Sequence, residues 1–173
     1  MRANPDQDAR YLAAAAEHGG AMQRLASATE ANAERRRDLL QDMHVALWRS
    51  FASFDGRCAV RTWVYRVAHN VAASHVDRER RMRAPLVTLD EIEQMPSSEN
   101  ISGDFEESQA LARLHAIIRT LGQPDRQIIT LYLEGLDAAS IAEVTGLSAG
   151  AIATRVSRLK SQLARLFQEN ANV

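Results

Sequence analysis

The sequence has few cysteines, no long apolar run and no secretory signal, and each of these absences argues against a class of protein. Only one of its 173 residues is a cysteine, Cys58, so no internal disulfide can form and a reducing compartment is expected. No apolar run approaches the roughly 20 residues that a membrane-spanning helix requires. The first residues also lack the basic and then apolar pattern of a secretory signal. The sequence therefore predicts a cytoplasmic protein without a membrane partner.

Aromatic residues are scarce as well, and neither sign of charge dominates. Phe, Trp and Tyr make up 5% of the chain, whereas Ala and Leu dominate over β-branched residues, which favours helices over sheets. The formal net charge is −1. Proteins that bind DNA unaided usually carry a basic balance, because phosphate neutralisation supplies most non-specific affinity. This chain is expected either to avoid nucleic acids or to bind DNA through local basic patches with a partner's help.

The sequence contains no catalytic or metal-binding constellation. Its five histidines are scattered, and none has a carboxylate or cysteine partner at the spacing typical of metal ligands. His44 and Asp42 are close in sequence, but residues two apart on a helix do not face each other. We therefore expect no enzymatic activity, no metal and no cofactor.

The distribution of charge divides the chain into two predicted domains. Residues 77–83 read DRERRMR and are strongly basic, whereas residues 84–110 contain seven acids and neither Lys nor Arg. That acidic stretch also contains Pro, Ser and Gly, which is typical of a linker with little stable helix. The predicted fold class is all-α, with two small helical domains (residues 1–83 and 111–173) joined by a flexible acidic linker (residues 84–110).

Three helical patterns are predicted in the first domain and one apolar stripe opens the second. Gly19 and Gly20 interrupt an Ala-rich stretch, so two short helices are expected there rather than one. Residues 30–51 carry apolar side chains at three- and four-residue steps and predict a strong amphipathic helix. A loop at residues 54–58 precedes the third helix. In the second domain, residues 127–133 could form a strand, but they are interpreted as a helix because they lie between helical patterns.

Residues 136–163 have the pattern of a helix-turn-helix. Asp137 is a predicted N-cap of the first helix, Gly146 supplies the turn and Ser148 caps the second helix. The predicted buried stripe of the second helix consists of Ile152, Val156, Leu159 and Leu163. Such a helix can enter the major groove of DNA, where its early side chains contact base edges. An ordinary helical hairpin with a solvated basic face remains the alternative on spacing alone.

Residues 38–81 read DLLQDMHVALWRSFASFDGRCAVRTWVYRVAHNVAASHVDRERR. This segment is similar to region 2 of the sigma-70 family of RNA polymerase sigma factors, in its extracytoplasmic-function (ECF) group, and residues 111–167 resemble region 4 of that family. The resemblance implies a non-enzymatic subunit that binds core RNA polymerase and directs it to particular promoters. A stand-alone helix-turn-helix regulator that binds an operator is the alternative function, but its first domain would then be expected to sense a ligand.

The resemblance also implies roles for residues that match the family's motifs. The core polymerase, through the clamp helices of its largest subunit and its flap, and promoter DNA are the implied partners. Residues implied in polymerase binding are Asp38, Gln41 and Asp42. Residues implied in recognition of the −10 element are Phe54, Gly56, Arg57, Arg61, Trp63, Arg66, Asn70, Arg78, Arg80 and Arg81, with a core position equally open for Trp63. Residues implied in recognition of the −35 element are Thr154, Arg155, Ser157, Arg158 and Lys160.

Some features depart from the family pattern. The run Arg35-Arg36-Arg37 stands where relatives often carry acids, and it is expected to weaken the contact with the polymerase unless a partner or a modification compensates. Ala153 and Ser157 stand where many members of the family carry larger or basic side chains. Direct contacts with bases are therefore in doubt at these positions, and the promoter sequence cannot be deduced from them. The acidic linker is expected to occupy a positively charged channel of the polymerase, or to mask basic clusters in the free chain. Many members are held by an anti-sigma factor, which makes such a regulator a candidate partner.

Overall fold

The computed structural model describes residues 5–83 and 105–169, and within these ranges it contains α-helices and no strand. The helices of the first domain are α1 (Pro5–Thr29), α2 (Ala33–Ser50) and α3 (Val60–Arg83). Those of the second are α4 (Phe105–Thr120), α5 (Asp125–Leu133), α6 (Ala138–Thr145) and α7 (Ala149–Glu169). The all-α prediction is therefore confirmed, including the helix at residues 127–133. None of the described helices is long and apolar enough to cross a bilayer.

Helix α1 is continuous, so the prediction of two short helices was wrong. Gly19 and Gly20 lie in its interior, where a glycine costs about 1 kcal/mol relative to alanine. Ala14 on one side of the pair, and Met22 and Leu25 on the other, are buried in the core of the first domain. Burial on both sides of the glycines holds the helix together, because most helical stability in proteins comes from tertiary packing.

The first helix after the predicted linker begins inside the range that was assigned to that linker. Helix α4 starts at Phe105, whereas residues up to 110 were assigned to the linker. Acidic residues favoured the linker interpretation, but acids near a helix N-terminus are also stabilised by the helix dipole. The rest of the predicted linker, residues 84–104, lies outside the described residues.

The core of the first domain lies between its three helices. Leu39, Met43 and Leu47 recur at four-residue steps on α2, and each is at most 1% exposed. Val64 and Ala68 on α3 belong to the same buried cluster. Because these residues fix one side of α2 against α1 and α3, the other side of α2 faces solvent.

The helix-turn-helix forms as predicted. Asp137 caps α6 by accepting a hydrogen bond of 2.8 Å from the N–H of Ser140. Gly146 ends α6 with a φ of 76°, a left-handed conformation that favours glycine. The Ser148 hydroxyl accepts a bond of 3.3 Å from the N–H of Ala151 and so caps α7. The buried stripe of α7 consists of Ile152, Leu159 and Leu163, with Val156 partly buried.

The two domains pack against each other, which the sequence did not predict. Helix α4 packs on α1, and α6 packs on α3. Ala21, Ala28 and Tyr65 of the first domain are buried in the apolar cluster of the second. Arg119 on α4 also donates a hydrogen bond of 2.6 Å to the carbonyl oxygen of Ser27 on α1. We refer to this arrangement of the domains as the closed arrangement.

Candidate nucleic-acid interface

The basic side chains of α7 lie on the surface of the second domain. Thr154, Ser157, Arg158 and Lys160 are exposed, and Arg155 is half-buried. They occupy the side of α7 that its buried stripe leaves to solvent. No acidic residue occurs between residues 148 and 167. An exposed helical face with three cations and no acid has the charge and shape that suit the major groove of DNA.

The two arginines of this face share one carboxylate. Arg155 Nη1 donates to Asp125 Oδ1 at 2.7 Å, and Arg158 Nη2 donates to Asp125 Oδ2 at 2.6 Å. Asp125 opens α5, so the two ion pairs join α5 to α7 and fix the direction of both guanidinium groups. Sequence reasoning missed Asp125, because no local spacing signals a contact across 30 residues.

The loop between α2 and α3 presents aromatic rings beside an exposed tip that contains a glycine. Phe54 and Trp63 are half-buried, and their ring centroids are 5.2 Å apart. Gly56 and Arg57 are exposed, and Gly56 has a φ of 76°. The Trp63 indole N–H donates to the Ser50 hydroxyl at 2.8 Å while the ring packs against the core of the first domain. Trp63 is therefore partly a core residue, and it keeps accessible surface next to Phe54.

A cavity of about 630 Å³ lies beside this loop. The first domain contributes Asp55, Arg57, Trp63 and Arg66 to its walls, and the second domain contributes Glu143. One side of the cavity is thus bordered by α6. Its aromatic wall and its arginines offer a stacking surface and cationic donors, the two features with which proteins hold an unstacked base.

Two arginines on α3 point into the second domain. Arg61 Nη2 donates to the main-chain oxygen of Glu134 at 2.8 Å, and Arg66 Nη2 donates to that of Glu143 at 2.7 Å. Arg24 on α1 forms a bidentate pair with the Glu134 carboxylate, with both bonds at 2.7 Å. Two residues implied in −10 recognition are therefore engaged by oxygens of the second domain in the closed arrangement.

The other predicted residues of α3 lie at its solvent-exposed surface. Asn70, Arg78, Arg80 and Arg81 are exposed. Asn70 lies one turn after Arg66, so their side chains share a face of the helix. Arg81 Nε donates to the main-chain oxygen one turn earlier at 3.2 Å. These residues continue the basic surface along the second half of α3.

A different surface is formed by α2. Asp38, Gln41 and Asp42 are exposed and lie on one face, since they are spaced three and four residues apart. Val45, which is 39% exposed, continues this face by one turn. Carboxylates beside an exposed apolar side chain are suited to a basic helix of a partner protein.

The three arginines before Asp38 have different environments. Arg35 Nη1 lies 3.2 Å from Glu79 Oε2 on α3, and Arg35 Nε lies 3.5 Å from Glu30 Oε2. Arg36 is half-buried, and Arg37 is exposed. Arg35 thus ties the start of α2 to the end of α3, whereas Arg37 stands at the edge of the acidic face.

The first domain contains buried ionisable groups. The Glu30 carboxylate lies 3.0 Å from His75 Nε2. Burial acts to raise the pKa of Glu30, but hydrogen bonds from the Asn32 N–H and His75 outweigh it and lower that pKa. Desolvation lowers the pKa of the fully buried His69 to about 3. Within residues 5–83 and 105–169, no group of His, Cys, Asp and Glu side chains is arranged to hold a metal ion.

Comparison with known proteins identifies the class of this chain. The family model for sigma-70 region 2 matches residues 15–82, and the model for sigma-70 region 4 matches residues 111–163. The two regions occur in the order that the sequence predicted; the first match lies within the helices α1 to α3 and the second within α4 to α7. The chain therefore belongs to the sigma-70 family of RNA polymerase sigma factors.

Individual relatives of the chain include sigma factors of the ECF group. The chain is 28% identical over 137 residues to RNA polymerase sigma factor NccH of Alcaligenes xylosoxydans xylosoxydans, covering 77% of this chain and 73% of that protein. It is 27% identical over 151 residues to ECF RNA polymerase sigma factor SigM of Mycobacterium tuberculosis, covering 87% and 73%. These relatives favour a sigma factor, which directs promoter-specific initiation by core RNA polymerase, over a stand-alone operator-binding regulator.

Solved structures show the same fold. CnrH, solved in complex with the cytosolic domain of CnrY, matches with a TM-score of 0.64 and 22% identity, covering 96% of this chain and 99% of that one. Sigma factor RpoE of Bartonella quintana, solved with the anti-sigma factor NepR, matches with a TM-score of 0.64 and 20% identity, covering 86% and 91%. The arrangement of the helices is therefore that of sigma factors.

Proposed function

We propose that this sigma factor acts in the cytoplasm through three separate surfaces, one for the polymerase and two for promoter DNA, without catalysis or a cofactor of its own. In this proposal, residues 1–83 form the domain that binds polymerase and the −10 element, and residues 111–173 form the domain that binds the −35 element. The observation that carries it is the exposed, acid-free face of α7, the second helix of a helix-turn-helix whose first helix is capped by Asp137.

The −35 element is the proposed ligand of α7. Arg155, Arg158 and Lys160 provide the cations for phosphates or guanine edges, and Thr154 and Ser157 provide short hydroxyl groups that tolerate close approach. Because Ser157 and the neighbouring Ala153 are small, we expect fewer direct base contacts there than in relatives with longer side chains. Recognition then depends more on phosphate contacts, and so on ionic strength.

The −10 element is the proposed ligand of the α2–α3 loop and the adjoining face of α3. Phe54 and Trp63 offer ring faces for stacking, and the exposed Gly56 lets the backbone approach a base. Asn70 has the donor and acceptor pair that reads adenine. The basic residues proposed to contact the backbone are Arg57, Arg61, Arg66, Arg78, Arg80 and Arg81.

The exposed acidic face of α2 is the proposed contact for the clamp helices of the polymerase. A charge reversal there tests this assignment directly. We expect Asp42→Lys to weaken binding to core RNA polymerase at least about tenfold, because lost and repelling charge pairs at an interface cost several kcal/mol. Asp77→Lys, the same reversal at an exposed position on α3, is the matched control and should leave the affinity unchanged. Equal effects of the two substitutions would contradict the assignment.

The assignment of α7 requires a readout that does not depend on a known promoter. We would transcribe a fragmented genomic library in vitro with core polymerase and sequence the transcripts. Arg158→Ala should retain core binding but lose the specific start sites found with the unmodified chain. Arg113→Ala, which removes an exposed arginine from α4, should retain them. If Arg158→Ala retained all start sites, the proposal that α7 recognises the −35 element would be contradicted.

An anti-sigma factor is a further proposed partner. Of the solved structures with this fold, CnrH is in complex with the cytosolic domain of CnrY, and the sigma factor RpoE is in complex with the anti-sigma factor NepR. Affinity purification of the tagged chain from its own cells, followed by mass spectrometry, tests this. The predicted result is a one-to-one complex with a small protein that core polymerase displaces. Recovery of the chain only with polymerase subunits would contradict it.

A further inference from the structure

We propose that a second cavity, lined by arginines, is a binding site for a small molecule that carries a phosphate monoester, such as a sugar phosphate or a mononucleotide. The cavity has a volume of about 600 Å³ and shares no lining residue with the one beside the α2–α3 loop. Its volume lies within the range of about 300–1,000 Å³ that is usual for small-molecule sites. The inference goes beyond the proposed function, since it involves a ligand other than polymerase and DNA.

The walls of this cavity come from α1 to α5 and from the link between α1 and α2. The acidic and basic side chains in the walls are four arginines and two glutamates, namely Arg35, Arg80, Arg119, Arg126, Glu30 and Glu79. Positive charge is therefore in excess, by two charges. A phosphate monoester carries a charge of about −1.5 to −2 at pH 7, which matches this excess.

The two carboxylates of the cavity are bound to groups of the first domain. Glu30 Oε1 accepts from the Asn32 N–H at 2.8 Å, and Glu30 Oε2 lies 3.0 Å from His75 Nε2. Glu79 Oε2 accepts from Arg35 Nη1 at 3.2 Å. Arg35 Nε lies 3.5 Å from Glu30 Oε2 without forming a hydrogen bond, and it is buried. Within residues 5–83 and 105–169, neither arginine that the second domain contributes to the cavity has a carboxylate partner.

These two arginines of the second domain are held in place by main-chain oxygens. Arg119 Nη1 donates to the oxygen of Ser27 at 2.6 Å. Arg126 donates from Nε to the oxygen of Leu121 at 3.1 Å and from Nη2 to that of Arg119 at 2.6 Å. Because a guanidinium group has five N–H donors, both arginines keep donors for a ligand. The carbonyl oxygens orient the two groups without neutralising them, which prepares two forked donors for phosphate oxygens.

The electrostatics of this wall favour a bound anion. Burial, and next the positive charge of Arg36, lower the pKa of Arg119 despite the opposing effect of the Glu30 carboxylate. Burial also lowers the pKa of Arg126. Both shifts mean that the charged form is less favourable here than in water, so a nearby anion would stabilise both groups. Among the described lining residues, His75 carries the only ring, so the phosphate and not a nucleobase is the group that the cavity can recognise.

Calorimetric titration of the full chain at constant ionic strength provides the test. The probes are adenosine monophosphate and ribose 5-phosphate, with adenosine and ribose as uncharged controls. We expect at least one of the monoesters to bind in a one-to-one ratio and neither control to bind, and the preferred monoester identifies the class of ligand. Binding of adenosine as tight as that of its monophosphate, or no binding of either monoester, would overturn the proposal.

A pair of substitutions at Ala31 locates the site. Ala31 is an exposed residue of the cavity wall, so its replacement leaves the arginines in place. Ala31→Glu and Ala31→Gln add side chains of nearly equal size, but only the first adds a negative charge. Repulsion should make monoester binding at least about tenfold weaker in Ala31→Glu than in Ala31→Gln. Equal affinities of the two variants would place the ligand elsewhere and overturn the assignment.

Substitution of an arginine tests the donors themselves. Arg126→Gln should weaken monoester binding at least about tenfold, because charge-assisted hydrogen bonds are lost. Arg113→Gln makes the same change at an exposed position on α4 outside the cavity and should leave the affinity unchanged. Equal affinities of Arg126→Gln and Arg113→Gln would contradict the role of the forked donors.

A nucleic-acid probe distinguishes the small molecule from DNA. The variants leave Arg80 unchanged, because this residue of the wall is also proposed to contact the −10 element. Short single-stranded DNA of random sequence should bind equally to Ala31→Glu and Ala31→Gln, apart from the small effect of one added charge. If DNA showed the tenfold difference and the monoesters did not bind, the cavity would be a DNA contact and the proposal would be wrong.

Discussion

Asp125 Oδ2 accepts a hydrogen bond of 2.6 Å from Arg158 Nη2, a contact across 33 residues that joins the first turn of α5 to the proposed −35 face of α7. The second oxygen of the same carboxylate binds Arg155. One acid thus partly neutralises two of the three cations on the proposed −35 face. Any phosphate or base that takes either arginine must compete with Asp125 or share the guanidinium group with it.

The first prediction follows from this competition. Asp125→Asn should raise the affinity of the free chain for non-specific duplex DNA several-fold, because both arginines lose an anionic partner. Glu17→Gln makes the same change in net charge at an exposed position on α1 and serves as the control. Fluorescence anisotropy at several salt concentrations is the measurement. An equal gain in both variants would show that net charge alone, and not release of Arg155 and Arg158, controls the affinity.

The arginines of the run before Asp38 should have different roles, one in polymerase binding and another in stability. Arg37→Glu should strengthen binding to core polymerase, because it extends the exposed acidic face of α2. Arg35→Glu should instead lower thermal stability, because it places a third carboxylate next to Glu30 and Glu79. Core affinity and melting temperature of each variant are the measurements. If Arg37→Glu left core affinity unchanged, the hypothesis that the run weakens the polymerase contact would be wrong.

The proposed polymerase-binding face of α2 depends on the buried residues of the opposite side of that helix, which fix its orientation. Met43→Ala should destabilise the chain by about 2–5 kcal/mol, since Met43 is fully buried between the helices of the first domain. Val45→Ala, two residues away and 39% exposed, should cost less than about 0.5 kcal/mol. Urea denaturation followed by circular dichroism gives both values. Similar losses for the two substitutions would contradict the orientation of α2.

Stability should fall with pH below neutrality, and His69 should account for part of the fall. Its pKa is about 3 in the folded chain, against 6.5 as the ordinary value, because it is buried. Between these pH values the unfolded chain binds one more proton, so unfolding becomes easier as the pH falls, by up to about 1.4 kcal/mol per pH unit. Lowered pKa values of His44 and His115 act in the same direction.

The contribution of His69 can be separated by substitution. His69→Gln removes this titrating group, so the stability difference between pH 7 and pH 5 should shrink by about 2 kcal/mol. His44→Gln should have a smaller effect, because His44 is only partly buried. Urea titrations at the two pH values measure the difference. An unchanged difference in His69→Gln would show that His69 is not the group responsible.

Local features of the fold could be predicted from the sequence because short-range rules determine them. Asp137, Gly146 and Ser148 take the cap and turn positions assigned to them, since each follows from a preference of its residue type. The apolar stripes of α2 and α7 follow from helical periodicity in the same way. The continuity of α1 could not be predicted, because a glycine pair signals a break unless the packing partners on both sides are known.

The contacts across the molecule were outside the reach of sequence patterns. Asp125 shows no local relation to Arg155 or Arg158, and Glu134 shows none to Arg24, from which it is separated by 110 residues. Such pairs depend on how helices meet in space rather than on spacing along the chain. The roles of individual residues came from the family resemblance and not from sequence patterns. The roles at the −10, −35 and polymerase surfaces stay predictions.

Binding to core RNA polymerase tests the central account most directly. The purified chain would be mixed with bacterial core enzyme, and the complex would be analysed by size-exclusion chromatography with light scattering, with Asp42→Lys in parallel. The account predicts a one-to-one complex for the unmodified chain, and a complex weakened at least about tenfold for Asp42→Lys. Failure of the unmodified chain, and also of Arg37→Glu, to bind core enzyme would contradict its action as a sigma factor through the α2 face.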